Sequence, residues 1–506
     1  MITKKQQRSF EILIRMIVDI ILVEGCLLLA FFINFLVSLV REGIVTLNTQ
    51  DLLIGLHRYG IDFLMLAVIS LCVFAARGLY SRARTYPAKK KMFLILQSVT
   101  LSYLIFTLCN YLFHLDHLFP RGLLIYGWVI TAILLTLSRG WAGIWRHMTV
   151  HAISDNSMPL RMSDKSVLVI GGAGYIGSAL LPKLLNAGYS VRLLDSFMYG
   201  DDPIKECLKH PKLEIIKADF RQVDEVVRAV KGVGSVIHLG GLVGDPACAI
   251  DEELTLEINL MATRMIAEVC KGFGVQRFVF ASTCSVYGAS DEILDESSSL
   301  NPVSLYAKTK ISCERVLKEM ADSSFAPVIL RFSTIFGFSG RTRFDLVVNL
   351  LTAKAFFEKK ITVMGGEQWR PFLHVDDAAA SVLLALQAPI DKVRNEIFNV
   401  GCSSLNYTLM QLGELIQKQE TSAELLELGM DGDKRNYRVN FDKITQRLGY
   451  KTKWTLEQGI AQVLRELKNG SVIDYKDIKY SNALYLRQCV TDVVYHWYGE
   501  KLLNIE

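Results

Sequence analysis

The chain has 506 residues, a formal net charge of +5 and 51% hydrophobic residues, with a mean hydropathy of +0.28. That length is too great for one core and that apolar content too high for a wholly soluble chain, so two or three units are expected, one of them in a membrane. Basic residues concentrate beside apolar segments, which fits anionic lipid headgroups and argues against nucleic acid. The ten cysteines form no C-x-x-C and no paired metal-ligand spacing, so reduced thiols and no metal are expected.

The first predicted elements are four apolar segments, 16–40, 59–76, 93–113 and 122–138, each near the ~20 residues that cross a bilayer. The first is too long for a cleavable signal peptide, and no small-residue cleavage site follows it. Lys4, Lys5, Arg8 and Arg15 precede it, and Arg77, Arg82, Arg84 and Lys89 to Lys91 fill the loop after the second, whereas the opposite loops hold only Arg41, Arg58 and Arg121. The basic bias places both termini in the cytoplasm, with Arg139 and Arg146 in agreement. Asp19 and Glu24 lie inside the first segment, and pairing of Asp19 with Arg15 one turn away is the simpler reading.

Residues 151–165 (HAISDNSMPLRMSDK) are polar and read as a linker. Beyond it, short β-branched runs at 167–170, 191–194, 213–216, 236–238, 278–281 and 328–330 alternate with helix-length segments. This is the pattern of an α/β domain with a doubly wound parallel (Rossmann) sheet, preceded here by an all-α transmembrane module over 1–150. The first run enters VLVIGGAGYIG, with Gly171, Gly174 and Gly177 in a G-x-x-G-x-x-G spacing between a strand and a helix start. Glycine lets the backbone approach a pyrophosphate there, and the helix N-terminus offers N–H groups to the anion. Asp195 ends the second strand, where a carboxylate accepts from an adenosine ribose and repels a 2′-phosphate, so NAD is expected rather than NADP.

Further on, SLYAKTK sets Tyr306 and Lys310 one turn apart on one helix face. A tyrosine of ordinary pKa, about 10, is a poor base at neutral pH, and a neighbouring ammonium together with a nicotinamide cation would stabilise its phenolate. Ser282 and Thr283 in FASTCSVYG follow a strand, where a hydroxyl can share a hydrogen bond with a substrate oxygen.

With these motifs in place, residues 166–470 resemble the extended short-chain dehydrogenase/reductases, in particular the NAD-dependent epimerase/dehydratase family that acts on nucleotide sugars. The resemblance rests on GGAGYIG, HLGGLVG from His238, STCSVYG from Ser282, YAKTK from Tyr306, LRFSTIFG from Leu330, RPFLHVDD from Arg370 and FNVG from Phe398. It implies a catalytic trio of Thr283, Tyr306 and Lys310. It implies NAD contacts by Gly171, Gly174, Tyr175, Ile176, Gly177, Asp195, Asp219, Phe220, Leu239 and Lys310, with Asp219 meeting the adenine amino group. Substrate contacts would come from Thr283, Tyr306, Ser333, Arg343 and Arg370, the last near the nucleotide phosphates. A smaller substrate lobe within 331–470 and a homodimer through two Rossmann helices are also implied.

Two departures narrow the chemistry. Dehydratases of the family carry an Asp-Glu pair directly after the catalytic threonine, and Cys284 and Ser285 stand there instead; Ser333 replaces an asparagine that binds the sugar nucleotide in many relatives. The expectation is a membrane-anchored, NAD-dependent UDP-hexose 4-epimerase in the bacterial inner membrane, with a cytoplasmic catalytic domain serving surface-polysaccharide precursors. The alternatives are a nucleotide-sugar dehydratase, reductase or dehydrogenase, and a non-catalytic NAD-sensing scaffold. Residues 471–506 form a mixed apolar and charged tail expected to pack on the catalytic domain or a partner.

Overall fold

The structure, a computed structural model, describes residues 4–42, 49–80, 88–113, 119–137, 163–429 and 435–495. Most of the linker expected over 151–165 and the last eleven residues of the tail lie outside the described residues. The chain divides into two compact units, Met1–Ala152 and Ile153–Glu506.

The first unit is helical: α1 (Lys4–Glu42), α2 (Thr49–Ala76), α3 (Ala88–Phe113) and α4 (Arg121–Leu137). Met16–Val40, Leu56–Ala76 and Met92–Leu112 are long and apolar enough to cross a membrane, whereas α4 is apolar but shorter. The interior is apolar around Leu27, Leu66, Val99 and Phe106, and unlike a soluble bundle the outer surface is apolar too. Ile21, Leu28, Ile61, Leu64, Leu104 and Leu108 face outward, while polar groups pair inside: Tyr103 with Thr131 (2.9 Å), Trp128 Nε1 donating to Thr100 (3.0 Å), and Asn110 Nδ2 donating to Asp62 Oδ1 (2.8 Å). Inside the unit, away from bulk water, such groups turn to neighbouring helices.

The second unit is built on a seven-stranded sheet from β1 (Ser163–Ile170), β2 (Ser190–Asp195), β3 (Leu213–Lys217), β4 (Val233–His238), β5 (Arg277–Thr283), β7 (Ala326–Phe332) and β11 (Glu396–Val400). Its order is β11-β7-β5-β4-β1-β2-β3 and every pairing is parallel. Alternate residues of β1 serve opposite layers. Val167 and Val169 pack with α5 (Tyr175–Asn186) and the helix Val375–Gln387, while Leu168 and Ile170 pack with the helices Val223–Val230 and Ala262–Gly272. Coverage of both faces explains why these strands read as unbroken apolar runs. The order reverses between β1 and β4, so a crevice opens there at the strands' carboxyl ends.

A smaller lobe is assembled from β6 (Ala289–Leu294), β8 (Thr334–Phe336), β9 (Lys360–Met364), β10 (Trp369–His374), β12 (Asn406–Thr408), β13 (Glu424–Leu428) and β14 (Asn436–Val439), paired as β12-β10-β8, β13-β9 and β14-β6. Between its strands the chain returns to the large sheet to add β11 at the edge beside β7. The helices Val347–Glu358, Leu409–Gln419 and Leu456–Lys468 close a separate apolar core around Phe336, Val363, Phe372 and Leu412.

Candidate active site

A cavity of about 1100 Å³ occupies the crevice above β1, β2, β4 and β5. The glycine loop forms its floor, and each glycine is there for its own reason. Gly171 has φ +80°, and a Cβ on it would lie 2.5 Å from the Gly240 backbone; a Cβ on Gly177 would lie 2.4 Å from Gly172. Gly174, with φ −81°, would place its Cβ no closer than 3.3 Å to Gly171 O. Only the first two are demanded by the chain's own packing. Gly174 begins α5 without a side-chain cap, and the helix has no acidic residue in its first turn, so its N–H groups remain available to an anion.

Asp195 closes the loop from the β2 side. Its carboxylate accepts from Ala173 N (2.9 Å) and Phe197 N (2.8 Å), tying the turns after β1 and β2 together. Asp219 accepts from Arg221 N (2.8 Å) and pairs with its guanidinium at 2.8 and 2.5 Å. Tyr175 points its hydroxyl at Gly337 O (2.7 Å) and receives Asn349 Nδ2 (3.2 Å), so it joins the glycine-loop helix to the loop after β8.

The trio sits across the cavity. Thr283 ends β5, and Tyr306 and Lys310 stand on the helix Leu305–Met320, whose first turn is capped by Ser304 accepting from Ala307 N (3.2 Å). Lys310 Nζ donates to Ala281 O (2.8 Å) and lies 5.9 Å from the centre of the Tyr306 ring and 4.7 Å from that of Phe280. Thr283 Oγ1 donates to Ser285 Oγ (3.1 Å). Burial pushes the Tyr306 phenol above its ordinary value and the Lys310 ammonium below its own. A buried phenol needs positive charge beside it before it can act as a base near neutral pH.

Of the residues expected at the site, Gly171, Gly174, Tyr175, Ile176, Gly177, Asp195, Asp219, Phe220, Leu239, Thr283, Tyr306, Lys310, Ser333 and Arg343 line this one cavity. Arg370 does not: it is buried behind, donating to Trp369 O (2.9 Å), Gln368 Oε1 (3.1 Å) and Arg435 O. Arg435 and Arg341 reach the lining instead. Neither belongs to a motif in the sequence; only the fold brings them here. Cys284 is also turned away from the cavity, buried with Sγ toward Arg331 O (3.2 Å), and burial raises its thiol pKa. Asn259 is a further residue without a sequence signal. From a one-turn π-helix, Leu256–Met261, it accepts from Leu242 N (2.8 Å) and donates to Leu242 O (3.0 Å), holding the loop after β4.

A family model described as the NAD dependent epimerase/dehydratase family matches residues 167–401. An uncharacterised protein of Methanocaldococcus jannaschii is 30% identical over 316 residues, covering 59% of this chain and 95% of that protein. The chain belongs to the NAD-dependent epimerase/dehydratase family. UDP-glucose 4-epimerase of Rhizobium meliloti is 28% identical over 324 residues, 58% of this chain and 94% of that enzyme. MoeE5 in complex with UDP-glucuronic acid and NAD superposes with a TM-score of 0.54 at 26% identity, over 61% of this chain and 100% of that one. A second model, described as a CoA-binding domain, matches residues 75–167; the described part of that stretch holds α3, α4 and the start of β1, ahead of the glycine loop.

As in the rest of the family, the cofactor is NAD. The cavity fits it: an uncapped helix N-terminus for the pyrophosphate, room beside Gly174, and a carboxylate at the end of β2 for the adenosine ribose.

Proposed function

We propose that this protein is a membrane-anchored nucleotide-sugar epimerase that inverts C4 of a UDP-hexose through a 4-keto intermediate. The observation that carries this reading is the cavity's composition around Tyr306: the trio for hydride and proton transfer lines it, while position 284 offers only a buried thiol facing elsewhere. Loss of water from a sugar needs an acid and a base next to the threonine, and Cys284 and Ser285 supply neither. Inversion at one carbon needs only the trio.

NAD, when bound, supplies a hydride acceptor that becomes the donor again within one turnover. Tyr306 takes the proton of the C4 hydroxyl and returns it after the keto sugar has turned. Thr283 bridges the phenol and the sugar oxygen. Lys310, held by Ala281 O, supplies the positive charge that brings the phenol into working range. The relatives named above for UDP-glucose and UDP-glucuronic acid support a uridine nucleotide.

The three long apolar helices and the basic loops support a bacterial inner-membrane location with the catalytic unit on the cytoplasmic side, suited to precursors of surface polysaccharides. The test is to incubate the purified full chain with UDP-, dTDP-, GDP- and CDP-hexoses and resolve the products. A C4 epimer formed without net change in NADH supports the proposal; a dehydrated product or stoichiometric NADH would sink it. Tyr306→Phe should lower kcat by about 10²–10⁴-fold while bound NAD is retained.

A further inference from the structure

The tail reaches the cavity rim. Val472 and Tyr475 pack with Phe344, Val463 and Leu467 of the smaller lobe, and Phe344 N donates to Tyr480 O (3.0 Å). The helix Asn482–Tyr495 then starts at the rim, where Asn482, Tyr485 and Leu486 join the lining. Asn482 binds three loops at once: its backbone N donates to Asp345 Oδ2 (3.0 Å), its Nδ2 to Val243 O (2.9 Å), and its Oδ1 accepts the Tyr199 hydroxyl (3.0 Å).

Two of these partners hold two of the cavity's arginines. Asp345 receives Nε and Nη2 of Arg343 at 2.9 and 3.0 Å. The Tyr199 ring centre lies 3.8 Å from the Arg341 guanidinium carbon. Arg341 is 5% exposed, and its Nε and Nη2 have no hydrogen-bond partner. A buried guanidinium with two unmet donors on a cavity wall is costly unless an anion completes it.

We propose that Asn482 is a positioning residue: by holding Asp345 and Tyr199 together it sets Arg343 and Arg341 to receive an anionic group of the substrate. The anion is a phosphate or a carboxylate, and only its identity rests on the nucleotide-sugar reading. The tail is thereby a working part of the substrate site.

Three variants of the full chain in detergent test this. Asn482→Ala removes the bonds to Tyr199 and Val243. Asn482→Pro also removes the N–H to Asp345, at a first helical position where proline is tolerated. Tyr199→Phe deletes one hydroxyl and keeps the ring under Arg341, so it remains informative if the others fold poorly. Equilibrium binding of UDP, UDP-glucose and UDP-glucuronate is measured with kcat and NAD content. Losing hydrogen bonds that orient a charged group should weaken binding roughly tenfold, more for Asn482→Pro than Asn482→Ala, with kcat lowered less than threefold and NAD retained. Weakened UDP assigns the arginines to the diphosphate; unchanged UDP with weakened UDP-glucuronate assigns them to a sugar carboxylate; both support the brace. Unchanged binding of all three ligands, or a parallel loss of NAD, kcat and every ligand, overturns it. Because UDP binding needs no turnover, a protein inactive on every sugar but with UDP binding weakened by Asn482→Ala would refute the epimerase reading and leave the brace standing.

Discussion

Arg331 on β7 grips Glu314 on the helix Leu305–Met320 through two hydrogen bonds, Nε to Oε1 at 3.0 Å and Nη2 to Oε2 at 2.6 Å, with both side chains almost fully buried. Ser282, beside Thr283, donates to the same carboxylate at 2.5 Å, and Arg331 Nη1 donates to the Tyr287 hydroxyl at 2.9 Å. The network joins β5, β7 and the helix that carries Tyr306 and Lys310. Removing one partner leaves a buried charge without its counterpart, so Glu314→Leu or Arg331→Met should each cost about 3–5 kcal/mol. The double variant Arg331→Met with Glu314→Leu should lose much less than the sum of the singles. Urea unfolding of the four proteins checks this; additive losses would show that the pair does not act as a unit.

Two of the motif glycines should separate in mutation. At Gly177 an added Cβ meets Gly172 at 2.4 Å, and overpacking of this kind costs about 1–3 kcal/mol. Gly174→Ala has an ordinary φ and a nearest neighbour at 3.3 Å, so the apo protein should keep its stability while NAD content falls sharply. Melting of the NAD-stripped proteins, paired with cofactor titration, distinguishes the two. A Gly174→Ala protein that binds NAD normally would refute the pyrophosphate role of that position.

His238 supplies a pH dependence. The ring is fully buried, with Nε2 bonded to Thr263 Oγ1 at 3.0 Å and Nδ1 without a partner. Burial first, and then the Lys310 charge, push its pKa down to about 3. Because the folded pKa is depressed, the unfolded chain binds the extra proton once pH falls below about 6.5. Stability is therefore complete above that value and declines from pH 6.5 toward 3, by up to about 5 kcal/mol. The melting temperature of His238→Gln should change less over this acid range than that of the parent; equal slopes would exclude His238 as the cause.

In the helical unit, Asn110 donates to Asp62 across α2 and α3 and accepts from Phe119 N at 3.2 Å. Asn110→Leu should lower stability in detergent by about 1–2 kcal/mol. Asn110→Asp should be worse, since it replaces the donor with a second carboxylate facing the first. Unfolding in mixed micelles reads both effects.

The parallel sheet and the placement of Tyr306 and Lys310 on one helix face were legible because each rests on short-range pattern. Buried β-branched runs between helix-length segments announce β1, β2 and β5, and a Y-x-x-x-K spacing puts Tyr306 and Lys310 on one face wherever that helix lies. The strands of the smaller lobe are short, pair across long sequence gaps and lack that clarity; β6 meets β14 only because the chain folds back from Asn436 to Ala289. Arg370 illustrates the same limit. Its motif put it among the substrate contacts, yet its guanidinium is taken up by Gln368 and the backbone of Trp369 and Arg435, and Arg435 stands at the cavity in its place.

By itself the sequence determined the apolar helical unit, the doubly wound sheet, the glycine loop and the one-turn spacing of Tyr306 and Lys310, since hydrophobic period, glycine spacing and one helical turn are local properties of the chain. Tertiary structure alone decided which arginines line the cavity, that Cys284 turns away from it, and that Asn482 bonds Asp345, Val243 and Tyr199. Those relations join residues far apart in sequence, such as Tyr199 to Asn482 and Asp345 to Asn482, and no local pattern records which distant loops a closed core will bring within hydrogen-bond reach.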